Sequence, residues 1–383
     1  MKRRSPFRKP SETAEPVSPF VGIEAKTAAY PGARSWSGGR FRVRGPDGLD
    51  AHCYHVMSRT CGGEIRFDDV EKEALRRLIW KMSEFLGVKV LTYCVMSNHF
   101  HILAEVPDQA VWLKRFEGAG GEEEMLRHLA TFYSRAFIHE LREDLKEMRR
   151  LGMEELATAR LAVFKRRFGD LSIWCKEIKE RFGRWYNKRH GRKGTLWMDR
   201  FKSVLVEDGE ALRTMAAYID LNPVRAKLVD DPKDYRWCGY AEALGGGRRA
   251  RRGLCRVVGV SGEWWDKAGP KQERSGQAMY RRWLYHSGKE RTDREGQKVV
   301  RAGIRHEVSV QVIEREKGEL PEATLARQRV RHFTQGLVLG SREWVERVFE
   351  AHRQHFGPRR RNGARPVKRG ASALFSLRAL RDN

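Results

Sequence analysis

Apolar residues recur at Leu75, Leu78, Ile79, Met82 and Leu86, a spacing of i, i+3, i+4, i+7 and i+11 that marks one face of a helix. Asp69 stands where an N-cap belongs and Gly87 where a helix can stop, so the pattern predicts a helix between them. On either side of it the period changes to two. HCYHVMSR (52–59) predicts a strand followed by a turn in TCGGE. VKVLTYCVM is β-branched and aromatic, and SNHFHILAEV alternates beyond a Ser97-Asn98 turn, so this pair predicts a hairpin. Residues 107–170 are strongly charged and poor in strand signals, and are expected to form a helical insertion. Trp174, Ile178, Phe182 and Trp185 then fall at helical spacing. After the Gly-rich turn HGRKGT, RFKSVLVED predicts a strand, and residues 209–221 a helix whose buried stripe is Leu212, Met215 and Ile219 and which Pro223 ends. This order predicts an α+β fold, an antiparallel sheet with helices on one face.

YRWCGYAEALGG is expected to close the first domain, and GGGRRARRG reads as a flexible basic linker. Further on, EATLARQRVRHFTQ predicts one helix, Gly336 a stop, and Ser341 a cap for REWVERVFEAHRQHF, which together match the outline of a helix-turn-helix unit. The expected organisation is a basic unstructured tail over 1–45, a domain over 46–245 carrying the insertion, a mainly helical extension over 246–356, and a second basic unstructured tail over 357–383.

Charge changes the picture. Over 383 residues, 76 Lys and Arg oppose 50 Asp and Glu, a net charge of +26 that points to a polyanionic partner, nucleic acid first. Residues 1–44, 172–203 and 357–383 hold 21 of those 26 charges. The two ends are also rich in Pro, Gly, Ser and Arg, a composition that cannot bury enough apolar surface to offset ordering entropy. In 172–203 the charges alternate with aromatic residues, giving a helix with a packed side and a basic side. No apolar run is long enough to span a membrane, and MKRRSPFRKP lacks the apolar core of a secretory signal, so a cytoplasmic location is expected. The six cysteines form no CxxC pair, which leaves no disulfide framework or zinc ribbon to expect.

Two groups of residues carry candidate chemistry. His99 and His101 lie two apart on a predicted strand, so both imidazoles leave one face, where they can share a divalent cation or serve as ordinary strand residues. His52 and His55 are spaced badly for one strand face and read as partly exposed strand positions. Tyr218 and Asn222 are four apart on the shoulder of the 209–221 helix, either aimed together at the sheet or serving as a helix anchor and a C-cap ahead of Pro223.

VLTYCVMSNHFHILAEVP, GTLWMDRFKSVLVED and YIDLNPVRAKLV, in this order, resemble three signature blocks of the IS200-like Y1 transposases, within the subgroup of REP-associated tyrosine transposases. The resemblance spans about residues 46–245 and places the chain beside the HUH endonucleases. It implies an RRM-like (ferredoxin-like) sheet, a metal site at His99 and His101 around Phe100, Asn222 as third ligand where many relatives have Gln, and Tyr218 as nucleophile. It also implies Mg²⁺ or Mn²⁺ as cofactor, a 5′-phosphotyrosine intermediate, and single-stranded DNA with hairpins as partner, in a bacterial, nucleoid-associated setting. Tyr186 is a rival nucleophile but lacks the YIDLNPV context.

Single strands also suit the basic and aromatic interleaving, since bases stack while Lys and Arg follow the backbone. Arg184, Lys188, Arg189, Arg200 and Lys202 are the DNA-contact candidates, with Arg59 on the first strand. The competing expectations are a catalytically silent nucleic-acid-binding module on the same sheet, and a replication initiator or relaxase. The long insertion and C-terminal extension depart from the compact pattern of the relatives.

Overall fold

A computed structural model describes residues 48–260, 276–292, 299–301, 303–318, 336–340, 342–351, 353, 360–366 and 375–378. The basic segment 1–45 and the helix expected over 322–335 lie outside the described residues. The fold opens with β1 (Ala51–Arg59), α1 (Asp69–Leu86), β2 (Lys89–Val95) and β3 (His99–Pro107). The cap of α1 is Asp68, one residue before the expected Asp69. From there its carboxylate accepts from Val70 N at 2.9 Å while Glu71 accepts from Asp68 N at 3.2 Å, a reciprocal pair that Asp69 does not make. Gly87 ends the helix at φ 75°, and a side chain there would meet Trp112.

Between β3 and the next strand the chain is helical: α2 (Gln109–Leu113), α3 (Gly121–Leu129), α4 (Arg135–Arg150), α5 (Glu154–Lys165) and α6 (Leu171–Arg189). Then follow β4 (Lys202–Val206), α7 (Glu210–Asp220) and α8 (Asn222–Arg225). As expected, α7 ends ahead of Pro223, and a separate short helix begins there with Pro223 in its first turn, where no N–H is needed. The strands form one antiparallel sheet in the order β2-β3-β1-β4, the ferredoxin-like order.

The helices α1 and α6 pack together over one face, where Phe100 meets Trp197 and Phe67 meets Phe182 edge-on. A single covered face was expected, but the other face is covered as well. There α7 lies across β2 and β3, and α10 (Arg248–Val258) lies along β2. The strands themselves explain this: Cys94 and Leu103 are buried on the His101 face along with the residues facing α1, and strands apolar on both sides need cover on both.

The stretch read as a flexible linker is therefore helix α10, whose Ala250, Leu254, Val257 and Val258 make an apolar stripe in the common core. Gly253 brings it close, since a Cβ at that position would lie 2.3 Å from the Leu91 carbonyl oxygen. Two further elements, α9 (Gly239–Leu244) and α11 (Gly276–Ser287), add Tyr240, Tyr280, Leu284 and Tyr285 to the same core. Further corrections fall near the C-terminus. Where a helix-turn-helix would have its turn there is a strand over Gly336–Gly340, and the tail expected to be unstructured contributes strands over Arg365–Pro366 and Phe375–Arg378. Phe375 and Leu377 alternate in the last of these, which pairs with both others. The helix after Ser341 is present over Arg342–Ala351.

Candidate active site

Strand alternation sends His99 and His101 to the face that carries α7. The register sets their neighbours: Arg59 lies opposite His99, Met57 opposite His101, and His55 opposite Leu103, with Lys202 beyond Met57 on β4. His55 thus stands diagonal to His101 on the same face. Its Nε2 lies 2.9 Å from His101 Nδ1, and the two ring planes are within 16° of each other. His55 is 9% exposed and His101 3%, so the expectation of a partly exposed His55 is corrected; the neighbouring strand and α7 cover it.

Helix α7 delivers Tyr218 onto this plate of two imidazoles. Its ring stands edge-on to both, with centroids 5.8 Å from His101 and 6.1 Å from His55. His99 stands perpendicular to His101 at 5.0 Å. Tyr218 remains 39% exposed, so a large substrate can reach it. The Arg225 guanidinium lies 4.9 Å over the Tyr218 ring and donates to the Tyr218 carbonyl at 3.2 Å. Asn222 uses its amide nitrogen on the carbonyls of Tyr218 and Ile219, at 2.9 and 3.2 Å, which is the C-capping role the sequence left open. Tyr186, the rival nucleophile, is buried on α6, stacked on His190 and edge-on to Phe67 on the other side of the sheet.

One more amide matters. Asn98 Nδ2 donates to the Gly63 carbonyl at 2.6 Å, which turns Oδ1 toward His99 Nδ1, also at 2.6 Å. A carbonyl oxygen only accepts, so His99 carries its proton on Nδ1.

Burial pushes all three imidazoles toward neutrality. His55 falls to about 4 by desolvation alone, and His99 to about 4 by desolvation and then the Arg59 charge. His101 falls to about 3, through desolvation first and then His55, His99 and Arg59. At neutral pH the cluster offers lone pairs, not charges. The six cysteines are free thiols, and among the described residues no group of three or more His, Cys, Asp or Glu is arranged to hold a metal.

No protein-family model matches the chain, and no curated protein matches it. Among solved structures the chain is similar to one described as the REP-associated tyrosine transposase bound to a REP hairpin. Identity is 15%, the match covers 55% of this chain and 87% of that one, and the TM-score is 0.33.

The DNA-contact candidates fall into two groups. Arg59 and Lys202 are exposed on or beside the histidine face, at the end of the sheet where β1 finishes and β4 begins. Arg184, Lys188 and Arg189 are exposed on α6, which packs against the opposite face, and Arg189 is paired with Glu71 at 3.1 Å. Arg200 is exposed in the segment leading into β4. Residues missed in the sequence are His55, Asn98 and Arg225. Asn98 adjoins the His pair and Arg225 lies two turns beyond Tyr218, so both were visible as neighbours; His55 required the strand register. Among the described residues no helix is long and apolar enough to cross a membrane.

Proposed function

We propose that this protein is a metal-dependent single-stranded DNA endonuclease and strand transferase of the transposase kind, with Tyr218 as nucleophile. The observation that carries the reading is the convergence, within one chain, of an accessible phenol and two neutral imidazoles from the central sheet. The three ordered sequence blocks add to it, because the residues they single out at His99, His101 and Tyr218 are the ones that converge.

His99 and His101 fit a divalent cation as nitrogen donors, since burial leaves them unprotonated at neutral pH. Asn222 has committed its nitrogen to the helix, so its Oδ1 is the atom it would offer, with water and phosphate oxygens making up the shell. When bound, Mg²⁺ or Mn²⁺ polarises the scissile phosphate and offsets charge that grows on its oxygens. The Tyr218 oxygen attacks phosphorus in line, the bond from phosphorus to the 3′ oxygen breaks, and the 3′ oxygen leaves as a hydroxyl after taking up a proton. A 5′-phosphotyrosine remains. Attack by a 3′-hydroxyl on that link reverses the steps and rejoins DNA without another energy source. Arg225 beside the phenol and Arg59 beside His99 place positive charge where the phosphate would lie. Hairpin-containing DNA is the proposed substrate, and Arg184, Lys188, Arg189, Arg200 and Lys202 its proposed outer contacts.

The test is incubation with labelled single-stranded hairpins from DNA flanking the gene, with and without Mn²⁺, read as a covalent adduct on a denaturing gel. The expected result is an adduct that needs the cation and is absent in Tyr218→Phe. Salt-sensitive binding with no adduct under any cation would replace this reading with the silent binding module.

A further inference from the structure

Each imidazole proposed to hold the cation has a partner on the ring nitrogen it would not use. Asn98 Oδ1 accepts from His99 Nδ1–H at 2.6 Å, a direction forced by the bond from Asn98 Nδ2 to Gly63. His101 Nδ1 has His55 Nε2 at 2.9 Å. The His55 and His101 planes differ by only 16° with centroids 5.1 Å apart, which is what an in-plane N–H···N bond between two five-membered rings produces, not face-to-face stacking.

We infer that His55 and Asn98 are positioning residues that hold His101 and His99 as their Nδ1–H tautomers, so that both Nε2 lone pairs stay bare for a divalent cation. The inference rests on the proposed role of the histidine pair and goes beyond it, to residues on another strand and in the hairpin turn. The reverse polarity, His55 Nε2–H donating to His101 Nδ1, would put the His101 proton on Nε2 and close that nitrogen to a cation. A hydrogen-bond partner on the distal nitrogen fixes both tautomer and ring orientation, and losing one typically costs on the order of 10–100-fold in metal affinity.

The test uses the full-length protein. In ¹⁵N-histidine-labelled, cation-free protein, two-bond ¹H–¹⁵N correlations report which nitrogen of each ring is protonated; His99 and His101 are expected as Nδ1–H. Mn²⁺ alone is then titrated and free ion read by electron paramagnetic resonance. His55→Leu, which fills the space without an acceptor, is expected to weaken Mn²⁺ binding about 10–100-fold and to release His101 into mixed tautomers. His55→Gln, which returns an acceptor near the Nε2 position, is expected to restore both, and Asn98→Ala to act on His99 alone.

A proton on His101 Nε2 in the unmodified protein overturns the inference, and does so even if His55→Leu fails to fold. So does Mn²⁺ binding that survives His55→Leu but is lost in His101→Ala. If His99→Ala and His101→Ala both bind Mn²⁺ as tightly as the unmodified protein, the cation reading itself fails, an outcome distinct from the tautomer result.

Discussion

Thr92 in the middle of β2 donates its hydroxyl to Asp220 at the end of α7, with contacts of 2.9 and 3.0 Å to the two carboxylate oxygens. Asp220 is fully buried, and it also accepts from Tyr280 Oη at 2.5 Å and from the Tyr240 backbone N–H at 3.2 Å. The carboxylate thus ties α7 to the sheet, to α9 and to α11, two residues past Tyr218. The placement of the phenol depends on a segment that composition marks as an extension.

The anchor has a pH signature. Desolvation raises Asp220 to about 7 although its donors pull the other way. The folded value lies above the ordinary carboxylate value, so folding is favoured most at low pH and loses stability as pH rises from about 4 to about 7. Tyr280→Phe removes a donor to the charged form. Urea denaturation is expected to show a loss of about 1–3 kcal/mol at pH 8 and a smaller one at pH 5. An equal loss at both would mean that Asp220 does not ionise in this range.

His99→Ala and His101→Ala are each expected to lower cation-dependent adduct formation by at least about 100-fold while leaving hairpin binding within a few fold, because they remove charge stabilisation and not phosphate contacts. A gel-shift assay run beside the adduct assay separates the two effects. Parallel loss of both would assign the histidines to binding.

Arg225→Leu keeps bulk but removes the cation over the Tyr218 ring. The expected outcome is a slower adduct-forming step, about 10-fold or more, with little change in hairpin affinity. Single-turnover kinetics at saturating protein give this rate directly, and an unchanged rate would reduce Arg225 to a helix-capping role.

Arg59→Ala and Lys202→Ala each delete one cation at the histidine end of the sheet. For single-stranded DNA, each is expected to reduce the slope of log K against log salt by about 0.7. Fluorescence anisotropy at several salt concentrations measures that slope. Arg184→Ala and Lys188→Ala probe the α6 side, and slopes that change only there would put the strand across the opposite face.

Gly253→Ala is expected to destabilise the protein by about 1–3 kcal/mol, since the added carbon meets the Leu91 backbone and not a side chain that can swing aside. Thermal unfolding of the purified variant checks this, and an unchanged midpoint would show that α10 does not bear on β2 so closely.

Much of this arrangement is legible in the sequence. The period of α1, the alternation through His99 and His101 and the stripe of α7 are local patterns, and each named its buried face. The antiparallel α+β plan is legible in the element order, whereas the strand order is expected only through the resemblance, which implies a ferredoxin-like sheet. What stayed hidden depends on contacts distant in sequence. His55 looked unremarkable because its partner lies 46 residues away and only the β1–β3 register makes them diagonal. RRARRG looked like a linker because its four arginines mask an apolar stripe that becomes meaningful only against the second face of the sheet. Asp220 gave no signal at all, since its donors come from β2, α9 and α11.

Tyr218 and the imidazoles beneath it belong to the same polypeptide, so on the proposed function each molecule would carry its own nucleophile and its own cation donors. A mixture of Tyr218→Phe and His101→Ala proteins should stay inert, with neither able to complement the other. Two such copies meeting on paired hairpins would then cut as independent workers, and any coordination between them would have to come from the DNA or from a contact outside the reacting centre.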